Sequence, residues 1–200
     1  MKLYYIPLTS SFRPRWLLLE AGLEHELIRL TLAPEHIKTP EYRKIHPLGQ
    51  VPALVDGDLT LIESAAICMY LSEKAAHSGL SPASGTRERA LYYQWILYAM
   101  DTVSPVVHAP YLRWFLASPD QKAHASTEED HAAFGRVLEP VLGALLSSPF
   151  LLGEQLTTAD VVMGGVLQWA EATGQLARSP IARAYHERLA ARPAYQRALQ

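Results

Sequence analysis

The sequence predicts an α/β domain with a mixed four-stranded sheet, followed by an all-helical domain. Strand-like and helix-like patterns alternate within residues 1–78, whereas residues 86–200 place apolar side chains at helical spacing and show no strand pattern. Between them, residues 79–85 are rich in Ser, Gly and Pro, a composition typical of linkers. We therefore expect one domain at 1–78 and a second at 86–200, joined by a linker at 79–85.

The first part of the α/β domain predicts two strands joined by a helix. A β-favouring run at residues 2–6 is followed by a helical pattern from Arg13 to a stop at Gly22. Pro14 suits the first turn of that helix, where a missing N–H costs little. Residues 26–30 have the pattern of a half-buried strand. Because strand, helix and strand in succession form a βαβ unit, we expect the two strands to be parallel.

The second part predicts an antiparallel hairpin closed by a helix. The loop before it carries at best a short helix, within residues 40–45. An apolar strand follows Pro52, and the turn sequence at residues 56–58 joins it to another strand at residues 59–62. A helix over residues 64–76 completes the order βαβαββα.

The composition is that of an ordinary globular protein without a surplus of charge. Apolar residues make up 49% of the chain, charged residues make up 19%, and the formal net charge is -2. This balance gives no electrostatic reason to expect a nucleic acid or a membrane surface as partner. No segment approaches the roughly 20 apolar residues of a membrane span. Cys68 is the only cysteine, which excludes an intrachain disulfide, and we expect a cytoplasmic protein.

Two short segments predict a binding site for a small peptide. Proline supplies no N–H to a sheet, so the Val51-Pro52 pair before a strand indicates a role other than strand pairing. If that peptide bond is cis, the N–H and C=O of Val51 turn outward and can pair with an extended peptide. Glu63 and Ser64 offer a carboxylate and a hydroxyl at a helix start, where an anion is favoured. The γ-glutamyl end of glutathione, with its amine, carboxylate and peptide bond, fits this pattern.

The chain resembles a cytosolic glutathione S-transferase over essentially its whole length. The motifs that carry the resemblance lie at residues 47–54, 63–67, 157–160 and 189–195. The resemblance implies a thioredoxin-like first domain that binds glutathione and a helical second domain that receives a hydrophobic electrophile. It also implies a homodimer, a role in detoxification, glutathione as co-substrate and no metal.

Three hydroxyls compete to activate the glutathione thiol. The resemblance to the bacterial beta class places Ser10 where that class has a cysteine, and Pro14 where it also has a proline. A second branch of the family would place its serines at Thr9 and Ser11. We expect Ser10 to contact the thiolate, followed in order by Ser11 and Thr9. Serine cannot form a mixed disulfide, so thiol–disulfide exchange through this residue is excluded. Helix capping is the structural alternative for both serines.

The resemblance also assigns the remaining contacts. Val51 is implied to pair with the cysteinyl unit, Glu63 and Ser64 to anchor the γ-glutamyl unit, and His36 or Lys38 to meet the glycine carboxylate. The implied glutathione-binding residues are Thr9, His36, Lys38, Gln50, Val51, Pro52, Glu63 and Ser64. The candidates for the electrophile site are Tyr98, His108 and Tyr111, for which packing in the helical core is the alternative.

Several polar residues are expected to be structural. Thr157 and Asp160 form a helix capping box, and Cys68 suits buried packing. No ligand spacing with other donors, and therefore no metal site, is found for His25, His46, His77, His124 and His131.

The sequence predicts a glutathione transferase and leaves alternatives open. Glutathione-dependent isomerisation, dehalogenation or peroxide reduction would use the same glutathione site. A non-catalytic binding or regulatory protein of the same fold is a further alternative.

Overall fold

Four short strands form one mixed sheet in the computed structural model, which describes residues 1–122 and 125–200. The strand order is β2-β1-β3-β4, with β1 parallel to β2 and antiparallel to β3. The strands are β1 (Lys2–Tyr5), β2 (Glu26–Arg29), β3 (Ala53–Asp56) and β4 (Leu59–Ile62). The predicted βαβ unit and antiparallel hairpin are therefore confirmed, and the sheet is of thioredoxin type.

Helices cover this sheet because their apolar faces match its buried side. Leu3 of β1 pairs with Leu54 of β3, and both side chains are almost completely buried. The helices of this region are α1 (Phe12–Glu20), α2 (Pro34–Ile37), α3 (Pro40–Arg43) and α4 (Ser64–Lys74). Thr39 caps α3, because its hydroxyl accepts the Tyr42 N–H at 3.2 Å. The single short helix predicted in this loop is thus two short helices, each opened by a proline.

The chain divides into two units, and the C-terminal segment belongs to the first. That unit comprises Met1–Ser81 and Arg192–Gln200, and the second comprises Pro82–Ala191. Helix α10 (Pro193–Leu199) packs on α1, where the ring of Tyr195 lies 4.8 Å from that of Phe12 and 4.9 Å from that of Trp16.

An ion pair reinforces this contact between α1 and α10. Glu20 accepts hydrogen bonds from the Trp16 indole at 3.0 Å and from the Arg192 guanidinium. The sequence places this segment in the helical domain, so the predicted domain limits differ from the two units at this end of the chain.

The second unit is helical throughout its regular structure in the part of the chain that is described. Its helices are α5 (Arg87–Leu97), α6 (Ser104–Leu116), α7 (Glu128–Leu145), α8 (Thr158–Ala172) and α9 (Pro180–Ala190). A π-helical turn, Tyr98–Val103, joins α5 to α6, and α6 continues through Pro110 without a break. None of the helices described is long and apolar enough to cross a membrane. His124 lies outside the described residues.

The predicted capping box anchors the N-terminus of α8, the most buried helix of this unit. Asp160 is fully buried, and its carboxylate accepts the N–H and the hydroxyl of Thr157 at 2.8 and 2.9 Å. The same carboxylate also accepts the Leu151 N–H at 2.8 Å and the Tyr185 hydroxyl at 2.7 Å. Burial raises the pKa of Asp160, and the four donors oppose that change.

Candidate active site

The Val51–Pro52 peptide bond is cis, as the binding hypothesis requires. The Ser10 hydroxyl, in the turn before α1, donates a hydrogen bond of 3.3 Å to the Val51 carbonyl oxygen. This contact brings together two candidate residues that lie 41 positions apart in the sequence. A donor–acceptor distance of 3.3 Å is long for two oxygen atoms, so the bond is weak and easily exchanged for a better acceptor.

The three candidate hydroxyls differ in their environments. The Ser11 side chain is 1% exposed, and its oxygen accepts the Ile6 N–H at 3.4 Å and lies 2.9 Å from the Thr9 hydroxyl oxygen. The Thr9 hydroxyl donates its proton to the Ile6 carbonyl at 2.7 Å. Ser11 makes no side-chain capping bond to α1, so the capping alternative is not seen there. Thr9 and Ser10 are both half-buried, and of the three hydroxyls it is that of Ser10 that bonds to the Val51 carbonyl.

Glu63 and Ser64 lie at the N-terminus of α4 with different exposures. Glu63 is exposed and has a positive φ of 69°, which is uncommon for a residue other than glycine. Ser64 is 4% exposed, and its oxygen accepts a hydrogen bond of 3.0 Å from Nη1 of Arg13. Because the Ser64 oxygen is the acceptor of that bond, its own proton remains available for a second partner.

Two buried residues at this site are not among the candidates predicted from the sequence. The Arg13 guanidinium on α1 donates a hydrogen bond to Ser64, and burial lowers the pKa of Arg13 to about 10. Tyr42 on α3 donates a hydrogen bond of 2.7 Å to the Gln50 carbonyl, and burial raises its pKa. One signal for Arg13 was available, because a cation among the apolar residues of a predicted helix needs a polar partner.

The residues expected to meet a glycine carboxylate already have protein partners. The Lys38 ammonium donates to the carbonyls of Leu48 and Gly49 at 2.9 and 3.0 Å. The Nδ1 atom of His36 lies 2.8 Å from the Thr31 hydroxyl. Both His36 and Lys38 are exposed.

Gly49 allows the binding loop to lie against α2. Its φ is +58°, and a Cβ atom there would lie 2.1 Å from the Ile37 carbonyl oxygen. Any side chain at this position would therefore displace the loop. His46, at the start of the same loop, is 5% exposed, and burial lowers its pKa although nearby Glu63 acts to raise it.

The three electrophile-site candidates lie in the second unit. Tyr111 is 5% exposed, and its ring stacks with those of Trp114 and Trp169, with centroids 5.4 and 4.8 Å away. Burial raises its pKa to about 12. The His108 ring lies 5.7 Å from that of Trp169 and is exposed. The Tyr98 hydroxyl donates to the Val137 carbonyl at 2.9 Å. Two of the three candidates thus belong to one aromatic cluster.

Cys68 is not placed to act as a nucleophile in the site. The Cys68 thiol is fully buried on α4, and burial raises its pKa. Among the residues described, no group of His, Cys, Asp and Glu is arranged to hold a metal ion.

Comparison with protein families matches both units. The family described as "Glutathione S-transferase, N-terminal domain" matches residues 1–73, and "Glutathione S-transferase, C-terminal domain" matches residues 96–193.

Individual relatives are similar to this chain over almost its whole length. The chain is 32% identical to glutathione S-transferase 3 of Zea mays, over 98% of this chain and 92% of the relative. It is 31% identical to the disulfide-bond oxidoreductase YfcG of Escherichia coli (strain K12), over 98% and 93%. Among solved structures, the ternary complex of BphK, a bacterial GST, has a TM-score of 0.80 and 33% identity, covering 100% of this chain and 98% of that one.

The chain therefore belongs to the glutathione S-transferase family, as its sequence motifs predict. It is an enzyme, a glutathione S-transferase with a thioredoxin-like first domain and a helical second domain.

Proposed function

We propose that this transferase binds glutathione in its first unit, holds the sulfur as thiolate with the Ser10 hydroxyl, and adds it to a hydrophobic electrophile. The observation that carries the proposal is the hydrogen bond between Ser10 and the Val51 carbonyl. It joins a half-buried hydroxyl to the backbone group that is proposed to pair with the cysteinyl unit.

The chemistry requires a thiolate at neutral pH. A free cysteine thiol has a pKa of about 8.5, so a bound thiol must be shifted toward its charged form. When glutathione binds, the Ser10 proton leaves its weak bond to Val51 and donates to the sulfur. This charge-assisted bond is the stronger of the two. The Val51 carbonyl is then free to accept the cysteinyl N–H. The Val51 N–H in turn donates to the cysteinyl carbonyl.

The γ-glutamyl unit is proposed to bind at the start of α4. The Glu63 carboxylate would pair with the ligand's ammonium group, and the Ser64 hydroxyl would donate to its α-carboxylate. The bond from Arg13 to Ser64 supports this direction, because it leaves the Ser64 proton for the ligand. The free N–H groups of the first helical turn add a favourable field for the same anion.

The remaining contacts are also proposals. Gln50 and Thr9 would assist at the edges of the bound peptide, and Pro52 shapes the loop. His36 is suited to the glycine carboxylate: the Thr31 hydroxyl can donate to Nδ1, which leaves the proton on Nε2. For the electrophile we propose Tyr98, His108 and Tyr111.

We further propose a cytoplasmic homodimer with a role in detoxification. Support for the dimer comes from α5, where Tyr93 and Leu97 are 40% and 58% exposed. Residues four positions apart lie on one face of a helix, so these two side chains form an apolar surface suited to a second copy.

Replacing Glu63 with glutamine should weaken retention on immobilised glutathione. The substitution keeps the shape of the side chain but removes the charge that pairs with the ligand's ammonium, and we expect an increase in Kd of about tenfold to a hundredfold. Calorimetric titration with S-methylglutathione measures the Kd. Glu24→Gln, an exposed glutamate outside the site, is the matched control. If folded wild-type protein is not retained at neutral pH, the non-catalytic alternative is favoured.

A second candidate function is glutathione-dependent disulfide reduction. It is favoured by the similarity to the disulfide-bond oxidoreductase of Escherichia coli. The bound thiolate would attack one sulfur of a substrate disulfide, forming a mixed disulfide with glutathione and releasing the other half as a thiolate. No protein cysteine takes part, which agrees with the burial of Cys68. Turnover of a small organic disulfide with glutathione should exceed turnover of an aryl halide if this candidate is correct.

A further inference from the structure

Three consecutive carbonyl groups of the binding loop are held by two side chains from the α2–α3 segment. The Lys38 ammonium donates to the carbonyls of Leu48 and Gly49 at 2.9 and 3.0 Å. The Tyr42 hydroxyl donates to the Gln50 carbonyl at 2.7 Å. We call this arrangement the carbonyl clamp.

The tyrosine half of the clamp is rigid. Tyr42 is 5% exposed and forms a buried cluster with Ile6 and Ile37, on which Tyr4 and Val51 also pack. Its ring lies 5.6 Å from that of Tyr4. Because the ring is fixed by packing, its hydroxyl marks a fixed position for the Gln50 carbonyl.

Lys38, the other residue of the carbonyl clamp, lies close to the carbonyls because the binding loop packs against α2. Gly49 approaches the Ile37 carbonyl so closely that no Cβ fits between them, which places the loop directly against α2. An ammonium group has three protons, and two of them are used by the Leu48 and Gly49 carbonyls. Such charge-assisted bonds to main-chain oxygens restrict the loop more than a solvated lysine would.

We propose that Lys38 and Tyr42 are positioning residues for the main-chain groups of Val51. By holding the three carbonyls before Val51, they fix the direction in which its N–H and C=O meet the cysteinyl unit of glutathione. The inference rests on the glutathione site proposed above. It assigns Lys38 a role different from the contact with the glycine carboxylate that the sequence implies.

The two roles of Lys38 make different predictions for a shortened ligand. γ-Glutamylcysteine lacks the glycine of glutathione but keeps the cysteinyl unit. If Lys38 positions the loop, Lys38→Met raises the Kd of both ligands by the same factor, about fivefold to tenfold. If Lys38 binds the glycine carboxylate, only the Kd of glutathione rises, and this result would overturn the proposal. Lys44→Met, an exposed lysine at the end of α3, is the matched control.

Tyr42 is tested with an analogue that cannot donate to Val51. In glutathione methylated at the cysteinyl amide nitrogen, the N–H that pairs with the Val51 carbonyl is absent. We expect Tyr42→Phe to raise the Kd of glutathione about tenfold and to raise that of the methylated analogue much less. An equal rise for both ligands indicates a merely structural role and contradicts the proposal. Tyr4→Phe removes a neighbouring hydroxyl and is the control.

The outcomes separate this inference from the proposed function. If the wild-type protein binds neither glutathione nor γ-glutamylcysteine, the glutathione site itself is wrong. If it binds both and neither variant changes their Kd in the way described, only the carbonyl clamp is wrong. Thermal unfolding shows whether each variant is folded, and Lys38→Met, changed at an exposed side chain, carries the test if Tyr42→Phe does not fold.

Discussion

Replacing Ser10 with alanine is expected to lower kcat by about a hundredfold or more, while the Kd of glutathione changes by less than about threefold. In the proposed complex the ligand is held mainly through its γ-glutamyl unit and its cysteinyl main-chain groups, so little binding energy is lost with the Ser10 hydroxyl. Its proton becomes important when a negative charge forms on the sulfur, because removing one preorganised donor from such a charge slows turnover strongly.

A direct measurement of the bound thiol completes the Ser10 test. Ultraviolet absorbance of the thiolate, titrated against pH, reports the pKa of enzyme-bound glutathione. We expect that pKa to be higher in Ser10→Ala than in the wild type, since the loss of a donor to the charged form disfavours it. The rate of conjugation of an aryl halide should then show its loss mainly at neutral pH and recover in part at higher pH.

Ser11→Ala and Thr9→Val provide the comparison. Both hydroxyls bond within the turn around Ile6, so we expect these changes to lower stability by about 1 kcal/mol and to leave most of the turnover. If Ser11→Ala abolishes turnover and Ser10→Ala does not, the choice of hydroxyl is wrong but the family assignment stands.

Asp160→Ala is expected to destabilise the second unit by about 3–5 kcal/mol, because four buried donors lose their acceptor at roughly 1–3 kcal/mol each and such losses are not additive. The donors come from Leu151, Thr157 and Tyr185, which belong to the preceding loop, the helix start and α9. A single carboxylate therefore joins three parts of the unit. Urea unfolding followed by circular dichroism measures the change.

The chain supplies a control for this substitution at α7. Thr127 and Asp130 form a capping box in which the Asp130 carboxylate accepts the N–H and the hydroxyl of Thr127. The Asp130 carboxylate also forms an ion pair with Arg113. The Asp130 side chain is 20% exposed, whereas Asp160 is fully buried. Because water can replace the lost acceptor, we expect Asp130→Ala to cost only about 1 kcal/mol. Equal losses in the two variants would show that burial of the Asp160 network contributes nothing.

Elements with local signals were predictable from the sequence. β-favouring and apolar runs and one alternating pattern predicted the four strands, the turn at residues 56–58 predicted the hairpin, and the box at Thr157 and Asp160 predicted the start of α8. In each case the determining residues are close together in the chain, so spacing alone carries the information.

Contacts between distant residues were not predictable in the same way. The bond from Arg13 to Ser64 spans 51 positions, and Arg192 reaches Glu20 across 172 positions. For Lys38, the sequence shows only a cation near the site, and whether it faces a ligand or a main-chain carbonyl depends on the path of the loop. That path is decided by packing, as at Gly49, where the Ile37 carbonyl leaves no room for a side chain.

The return of the C-terminal helix to α1 has a consequence for synthesis of the chain on the ribosome. Tyr195 supplies the aromatic edge against Phe12 and Trp16, yet it is translated long after them. One side of α1 therefore stays uncovered until residue 195 has left the ribosome. A nonsense codon that removes α10 would consequently destabilise a helix that was synthesised much earlier.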